Sequence, residues 1–231
     1  MKLSKLEPLM AVLLLVLVYL ISSQAGKMAA GINVTRGKEK KVVVLDAGHG
    51  GNDPGKIGVD GSLEKDINLK VTEKVKAYLE ASDVEVVLTR DSDQGLYTAK
   101  DSKKKSADMN KRCQIINEVS PDLTVSIHQN SYHQEEINGG QVFYYKGSVK
   151  GKALAEILQK RFDYVLGENN RRLAKANDNY FLLLHVKTPI VIVECGFLSN
   201  WKEAGMLNSE EYQDQLAWTI HMGIMEFLNS Q

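Results

Sequence analysis

Four residues that could carry out chemistry stand at the ends of predicted elements rather than in one compact motif. His49, His128 and Glu194 each follow an apolar run with the composition of a buried strand, and Glu64 lies just ahead of a predicted helix. Two neutral imidazoles and one carboxylate suit a catalytic zinc ion, with a fourth position open for water. The sequence therefore predicts zinc ligation by His49, Glu64 and His128, and it leaves Glu194 as an acid or base.

The elements that must bring these residues together alternate between strands and helices. Apolar runs and apolar residues at three- and four-residue spacing predict both types. The expected strands are 42–45, 84–88, 123–127, 141–145 and 190–193, and the expected helices are 65–80, 109–119, 151–166 and 210–228. This order predicts an α/β fold, with a mostly parallel central sheet and helices on both faces. Strand 141–145 alternates in polarity, which favours an edge or hairpin position.

In a parallel sheet the carboxyl ends of the strands meet at one edge, so residues far apart in sequence can share a site there. The bulk composition supports one globular domain, because 43% of the 231 residues are hydrophobic. The 29 basic and 29 acidic side chains balance. This balance gives no support to nucleic acid as a partner.

The first residues differ from the rest of the chain. Lys2 and Lys5 precede an apolar stretch from Leu9 to Ile21, and small residues follow. This pattern predicts that residues 1–26 are a signal peptide or an N-terminal membrane anchor, with cleavage left open. We expect residues 27–40 to be a linker and residues 41–231 to be the catalytic domain, working outside the cytoplasm.

The glycine-rich loop around His49 invites two phosphate-binding interpretations, and each lacks a necessary residue. Residues 48–50 begin like a dinucleotide fingerprint, but Asp53 stands where the third glycine is needed. The spacing from Gly50 to Lys56 is that of a P-loop, yet Ile57 replaces the hydroxyl residue that would hold magnesium. Neither interpretation is favoured.

Other candidates have simpler structural explanations. Cys195 could be a nucleophile activated by His128 or His185, but a small apolar residue at the end of a buried strand is the favoured role. Cys113 lies in a different predicted element, so two separate thiols are expected. The tract from Lys100 to Lys105 is expected to be a solvated loop face, with a groove for an anionic polymer as the alternative.

Four segments together resemble a known family, the zinc-dependent N-acetylmuramoyl-L-alanine amidases of the amidase-3 type. The resemblance runs from about residue 41 to the C-terminus, in the same order as in the family. The segments that carry it are residues 45–55, Glu64, residues 126–130 and residues 193–200.

The resemblance implies a role for each matching residue. His49, Glu64 and His128 would bind zinc, Glu194 would be the catalytic glutamate, and Asn130 would lie beside the substrate. The implied reaction is hydrolysis of the amide between N-acetylmuramic acid and L-alanine in peptidoglycan. A catalytically inactive cell-wall-binding protein with the same fold is the alternative.

Within the family, the short chain and its N-terminal segment resemble a subgroup from spore-forming bacteria. That likeness implies removal of stem peptides from muramic acid in spore cortex, so that a partner muramic acid deacetylase can help to form muramic-δ-lactam. Three carboxylates near the site, those of Asp46, Asp53 and Asp66, are candidates for orienting the ligand imidazoles or capping the helix.

Overall fold

The computed structural model describes residues 10, 12–22, 40–166 and 170–231. Residues 41–231 form one compact unit. Most of the predicted export segment 1–26 and of the predicted linker 27–40 lies outside the described residues; of the described part, residues 12–22 are helical. Among the described residues, no helix combines the length and the apolar character needed to cross a bilayer.

Strands and helices alternate along the compact unit. The strands are β1 (Val42–Ala47), β2 (Glu85–Leu88), β3 (Leu123–Asn130), β4 (Gln141–Tyr145), β5 (Lys175–Asn177) and β6 (Ile190–Phe197). The helices are α1 (Glu64–Ala81), α2 (Lys104–Val119), α3 (Val149–Leu166), α4 (Phe181–His185), α5 (Trp201–Leu207) and α6 (Glu210–Asn229).

The strands form one six-stranded sheet in the order β2-β1-β3-β6-β4-β5. Strands β2, β1, β3 and β6 run parallel, whereas β4 is antiparallel to β6 and parallel to β5. The predicted mostly parallel sheet is therefore confirmed. Because β1, β3 and β6 are parallel neighbours, their carboxyl ends lie side by side, as the site requires.

Helices cover both faces of the sheet, as predicted. One apolar cluster joins the strands to α1, α3 and α6, and a second, smaller cluster joins them to α2 and α4. Side chains alternate along each strand, so neighbouring residues belong to different clusters: Val43 and Leu45 pack in the first, and Val44 packs in the second. We call these the packed face and the cleft face.

Several element boundaries differ from the sequence predictions. Strands β3 and β6 do not stop at His128 and Glu194 but continue to Asn130 and Phe197. In the ladder between these strands His128 is paired with Glu194, and Asn130 is paired with Phe197. Strand β4 is not at an edge, since the unpredicted β5 pairs with its outer side. The short helices α4 and α5 were not predicted, and α2 begins at Lys104 rather than at residue 109.

Candidate active site

The loop after β1 turns His49 back towards β3. His49 itself adopts a φ of 62°, in the left-handed region. Gly48 is needed because a Cβ atom there would overlap the ring of His128. Gly55 has a φ of 71°, and a Cβ atom there would lie 2.5 Å from Oε2 of Glu64. Two glycines therefore let the loop approach both neighbouring side chains closely.

Two buried arginines hold the carbonyl groups of this loop. Arg112 donates to the carbonyl of Ala47 at 2.7 Å and to that of His49 at 2.6 Å. Arg90 donates to the carbonyls of Ala47 and Gly48 at 2.9 and 3.0 Å. Three successive loop carbonyls therefore have charged donors, which fixes the backbone that carries His49.

Asp46 anchors Arg112 beneath the loop. Its carboxylate accepts from Arg112 at 2.7 Å, from Thr89 at 2.6 Å and from Ser126 at 2.5 Å. Burial alone would raise the pKa of Asp46, but Arg112 and the two hydroxyl donors hold it at about 2. Asp46 therefore acts through Arg112 on the loop rather than on a ligand imidazole.

The three residues predicted to bind zinc do converge. Their ligand atoms all lie within 4.8 Å of one another. Oε1 of Glu64 is 3.2 Å from Nε2 of His49 and 3.0 Å from Nδ1 of His128. The two rings meet edge to face, with their centroids 5.0 Å apart. His49, Glu64 and His128 thus form a possible metal site.

Glu64 is held in place by groups around the N-terminus of α1, of which it is the first residue. Its side chain accepts from the backbone N–H of Lys56 at 2.8 Å, from that of Gln129 at 3.2 Å and from the Asn68 amide at 3.3 Å. Burial opposes its ionisation, yet hydrogen bonds to the imidazoles of His128 and His49 lower the pKa of Glu64 well below its usual range. The carboxylate is therefore charged, as a metal ligand must be.

The carboxylates near the site differ in what they contact. Asp53 lies beside His49, with its Oδ2 atom 3.0 Å from Nδ1 of the imidazole, so it orients that ring. Asp66 is exposed in the first turn of α1. Of the three candidates for orienting a ligand, Asp53 is the one in contact with an imidazole.

Glu194 lies on the cleft face directly opposite His128, its partner in the parallel ladder. Its side chain is 8% exposed, and its Oε2 atom has no hydrogen-bond partner among the described residues. Burial raises the pKa of Glu194 to about 7, with nearby His128 opposing the rise and the charge of Glu64 adding to it. A carboxyl group with a pKa near neutrality can both accept and donate a proton.

These groups open into a cleft of about 740 Å³. Its floor includes His128, Glu194 and Ile192, one wall is the start of α2, and the other is the start of α4. The wall residues that the sequence did not identify as parts of a site are Tyr97, Met109, Tyr180, Phe181 and Leu182; Lys104 and Lys105, from the tract with a groove as its alternative role, also line the wall. The Lys100–Lys105 tract therefore contributes two residues to the cleft.

The remaining predicted residues divide between the two faces. Asn130 lines the cleft, and its Oδ1 atom accepts from the N–H of Ser131 at 2.8 Å. Cys195 lies on the packed face, is fully buried and is free, and burial strongly raises the pKa of its thiol. A thiol that faces away from the cleft does not fit a nucleophile. Cys113 is also free and buried.

Asn68, Arg90 and Arg112, which support the site, were not among the predicted site residues. Asn68 and Arg112 had a usable signal, since each is a polar residue at a helical position facing the core. Asn68 follows Glu64 by one turn of α1, and Arg112 precedes Ile116 by one turn of α2. Arg90 had no such signal, because it lies in the loop after β2.

A possible metal site beside a buried carboxyl group is compatible with a hydrolase, and comparison with known proteins gives the class. The sequence model of the Amidase_3 family, described as N-acetylmuramoyl-L-alanine amidase, matches residues 43–226. The chain therefore belongs to this family and is an N-acetylmuramoyl-L-alanine amidase, an enzyme that acts on peptidoglycan.

Individual relatives make the similarity more specific. The chain is 36% identical over 194 residues to the germination-specific N-acetylmuramoyl-L-alanine amidase of Bacillus subtilis, which covers 83% of this chain and 81% of the relative. It is 31% identical over 190 residues to the amidase LytC of the same organism, covering 81% of this chain and 35% of LytC.

Solved structures agree with this placement. The CwlD amidase from Clostridioides difficile, in complex with the GerS lipoprotein, superposes with a TM-score of 0.80 at 38% identity, over 83% of this chain and all of that one. The catalytic domain of CwlV from Paenibacillus polymyxa gives a TM-score of 0.72 at 33% identity, covering 83% of this chain and 99% of that one.

Proposed function

We propose that the amidase reaction of this chain depends on a zinc ion held by His49, Glu64 and His128. The observation that carries this proposal is the convergence of three ligand atoms within 4.8 Å at the mouth of a cleft. Two imidazoles and one carboxylate are a donor set found in catalytic zinc sites. When bound, zinc would lower the pKa of a water molecule and polarise the scissile carbonyl.

The protein groups around the triad fit this role. Glu64 accepts three hydrogen bonds from Lys56, Asn68 and Gln129, and Asp53 contacts the other nitrogen of His49. Such contacts orient the donor atoms of metal ligands. The hydrogen bonds from Arg90 and Arg112 to the backbone carbonyls around His49 hold the His49 side chain next to Glu64.

We infer that Glu194 moves the proton during hydrolysis. Its carboxylate would accept a proton from the attacking water and return it to the amine nitrogen of L-alanine as the carbon–nitrogen bond breaks. Two features support this role, namely its position opposite His128 and its unpartnered, buried Oε2 atom in the cleft floor. A pKa of about 7 suits both transfers near neutral pH.

Asn130 is proposed to bind the substrate. It lies two residues after His128 on the same face of β3, and it lines the cleft. Its carbonyl oxygen is bound to the N–H of Ser131, which leaves the side-chain NH₂ group available to a carbonyl oxygen of the muramoyl peptide.

The biological substrate we propose is spore cortex peptidoglycan, in a reaction sequence that leads to muramic-δ-lactam. The similarity to the germination-specific enzyme of B. subtilis supports this proposal. A muramic acid deacetylase would then be the functional partner. Because peptidoglycan lies outside the cytoplasm, we propose that the enzyme acts there, after export or membrane anchoring through residues 1–26.

The test combines metal analysis with product analysis. Purified protein is expected to contain about one zinc per chain, and chelation should abolish release of stem peptides from isolated cortex. Mass spectrometry of the digested cortex and of vegetative walls identifies the bond and the substrate together. Activity that survives complete removal of zinc would contradict the metal proposal. Equal release from both walls would contradict the cortex proposal.

A further inference from the structure

We propose that Lys104 and Lys105, at the start of α2, recognise a free carboxylate on the stem peptide, one residue beyond the L-alanine at the scissile amide. This inference rests on the proposed function and names the form of the substrate that the cleft selects. The lysines would act on substrate affinity, and the chemistry would remain with the triad and Glu194.

Both lysines lie at the cleft. Lys104 and Lys105 line the cleft, whereas Lys100 and Lys103 of the same tract do not. Nζ of Lys105 lies 3.8 Å from Oδ2 of Asp53, and this same oxygen is 3.0 Å from the His49 imidazole. One carboxylate therefore separates the lysine from a proposed zinc ligand.

The partners of these two cations are weak. The contact of Lys105 with Asp53 is long for a salt bridge, and the lysine side chain is 79% exposed. Nζ of Lys104 lies 5.3 Å from the centre of the Tyr97 ring, in a cation–π contact. Neither contact neutralises the charge, so both ammonium groups remain able to bind an anion.

The start of α2 is positively charged. Its first turn contains no acidic residue, and its N-cap Lys103 makes no side-chain hydrogen bond. By contrast, α6 has a Ser209 cap and acidic residues in its first turn. Cations at a helix N-terminus oppose the helix dipole, so the fold gains nothing from lysines at this point. A bound carboxylate would be stabilised by the lysines and by the dipole together.

The stem peptide offers such a group at the right distance. The residue after L-alanine is a glutamate joined through its side-chain carboxyl group, so its α-carboxyl group is either free or amidated. An extended chain spans about 3.3–3.6 Å per residue, which places this group about 7 Å from the scissile bond. Lys105 is near enough to be considered for such a group, because its ammonium group and the His49 imidazole both lie beside the same oxygen of Asp53.

The experiment uses two synthetic muramoyl dipeptides that differ only in this carboxyl group, free in one and amidated in the other. For the wild-type protein we expect a KM about five- to tenfold lower for the acid, at similar kcat. In the double variant Lys104→Gln, Lys105→Gln, the KM for the acid should rise to that of the amide. High salt should reduce the wild-type preference, because the ion pairs form near the surface.

The matched control removes the same charge elsewhere in the tract. Lys100→Gln, Lys103→Gln should keep the preference for the acid, since neither residue lines the cleft. A wild-type enzyme that treats both dipeptides alike overturns the inference, and so does a preference that survives in the cleft double variant.

Failure of the inference can be separated from failure of the proposed function. If the wild-type protein cleaves neither dipeptide, the proposed function is at fault. Calorimetric titration with the two free dipeptides, L-alanyl-isoglutamate and its amide, then tests the lysines without turnover. Tighter binding of the acid that disappears in the Lys104→Gln, Lys105→Gln variant supports the inference, and equal binding of the two overturns it.

Discussion

The two faces of the central sheet are built from the same strands and both carry apolar clusters, yet near the carboxyl ends of β3 and β6 their side chains are used differently. On the packed face, Ile127 and Val193 are fully buried against α1, α3 and α6. One residue further along each strand, His128 and Glu194 line the cleft. Alternation along a strand therefore separates packing from chemistry within two neighbouring residues.

The pair Glu194 and Cys195 shows what this separation does. Burial raises the pKa of both groups. Glu194 faces the cleft and the imidazoles of the proposed zinc site, where a proton could be exchanged with substrate, whereas Cys195 faces the apolar cluster and stays a neutral thiol. A shift of one residue in the register of β6 would exchange the two roles. Glu194 and Cys195 are neighbours in sequence, but the face of the sheet on which each side chain lies determines what it can contact.

The largest effect is expected on the cleft face, from Glu194→Gln. The amide has nearly the same shape but cannot accept the proton, so turnover should fall by about 10² to 10⁴-fold. Zinc content should stay at about one per chain. Product release and metal analysis on the same preparation measure both quantities.

His49→Ala and His128→Ala are the comparison variants, and they should lose zinc and activity together. A Glu194→Gln enzyme with a near-normal rate would show that the proton is carried by another group. Loss of zinc in Glu194→Gln would instead make Glu194 part of the metal site.

A smaller effect is expected at Gly48, where the loop after β1 touches His128 of β3. A Cβ atom at this position would overlap the His128 ring, so Gly48→Ala should displace that ligand and weaken zinc binding by about tenfold or more. Gly205→Ala is the control, because a Cβ atom there meets nothing within 4 Å. Competition with a zinc chelator measures the affinity. Equal affinities in the two variants would contradict the close approach of Gly48 to His128.

Much of the fold and of the candidate site was predictable from sequence. His49, His128 and Glu194 each follow an apolar run, and parallel strands have to bring such ends together. The run before His49 and the run before Glu194 are both strongly apolar, so the strands were clear. Their exact ends were not, because β3 continues through the polar residues 128–130 and β6 continues through Glu194, and polar residues do not mark a buried strand.

Most of the cleft wall could not be predicted, for physical reasons, although a groove at the Lys100–Lys105 tract was one alternative. The first turn of α2 is exposed all round, so it has no apolar period that marks a helix. Tyr180 is the N-cap of α4. This helix has five residues, which is too short for a periodic signal in the sequence. The positions of these wall residues depend on contacts with distant parts of the chain, which cannot be inferred from the local sequence.

A moderate effect on stability is expected from Asp46, which belongs to the cleft face but supports the loop. Its pKa is about 2 in the folded protein against 3.8 as the reference value. The carboxylate therefore contributes stability at neutral pH, about 2 kcal/mol, which is lost as the pH falls from about 4 to 2.

Asp46→Asn should flatten this part of the pH dependence and should lower stability at pH 7, because Arg112 loses a buried partner. Denaturant unfolding between about pH 5 and pH 2.5 measures the free energy of unfolding. Asp66→Asn, in the exposed first turn of α1, is the control and should retain the wild-type slope. The same slope in Asp46→Asn and wild type would rule out Asp46 as the group that titrates.

The smallest effect is expected on the packed face, from Cys195→Ala. The side chain is fully buried and faces away from the cleft, so kcat should remain within about twofold of the wild-type value. The free energy of unfolding should fall by about 1 kcal/mol, since a small cavity replaces the sulfur atom. Thiol-specific alkylation of the native protein should also leave activity intact, because the raised pKa keeps this thiol protonated. A large loss of kcat in a well-folded Cys195→Ala protein would support Cys195 as a nucleophile. It would also contradict the conclusion that residues on the packed face take no part in the reaction.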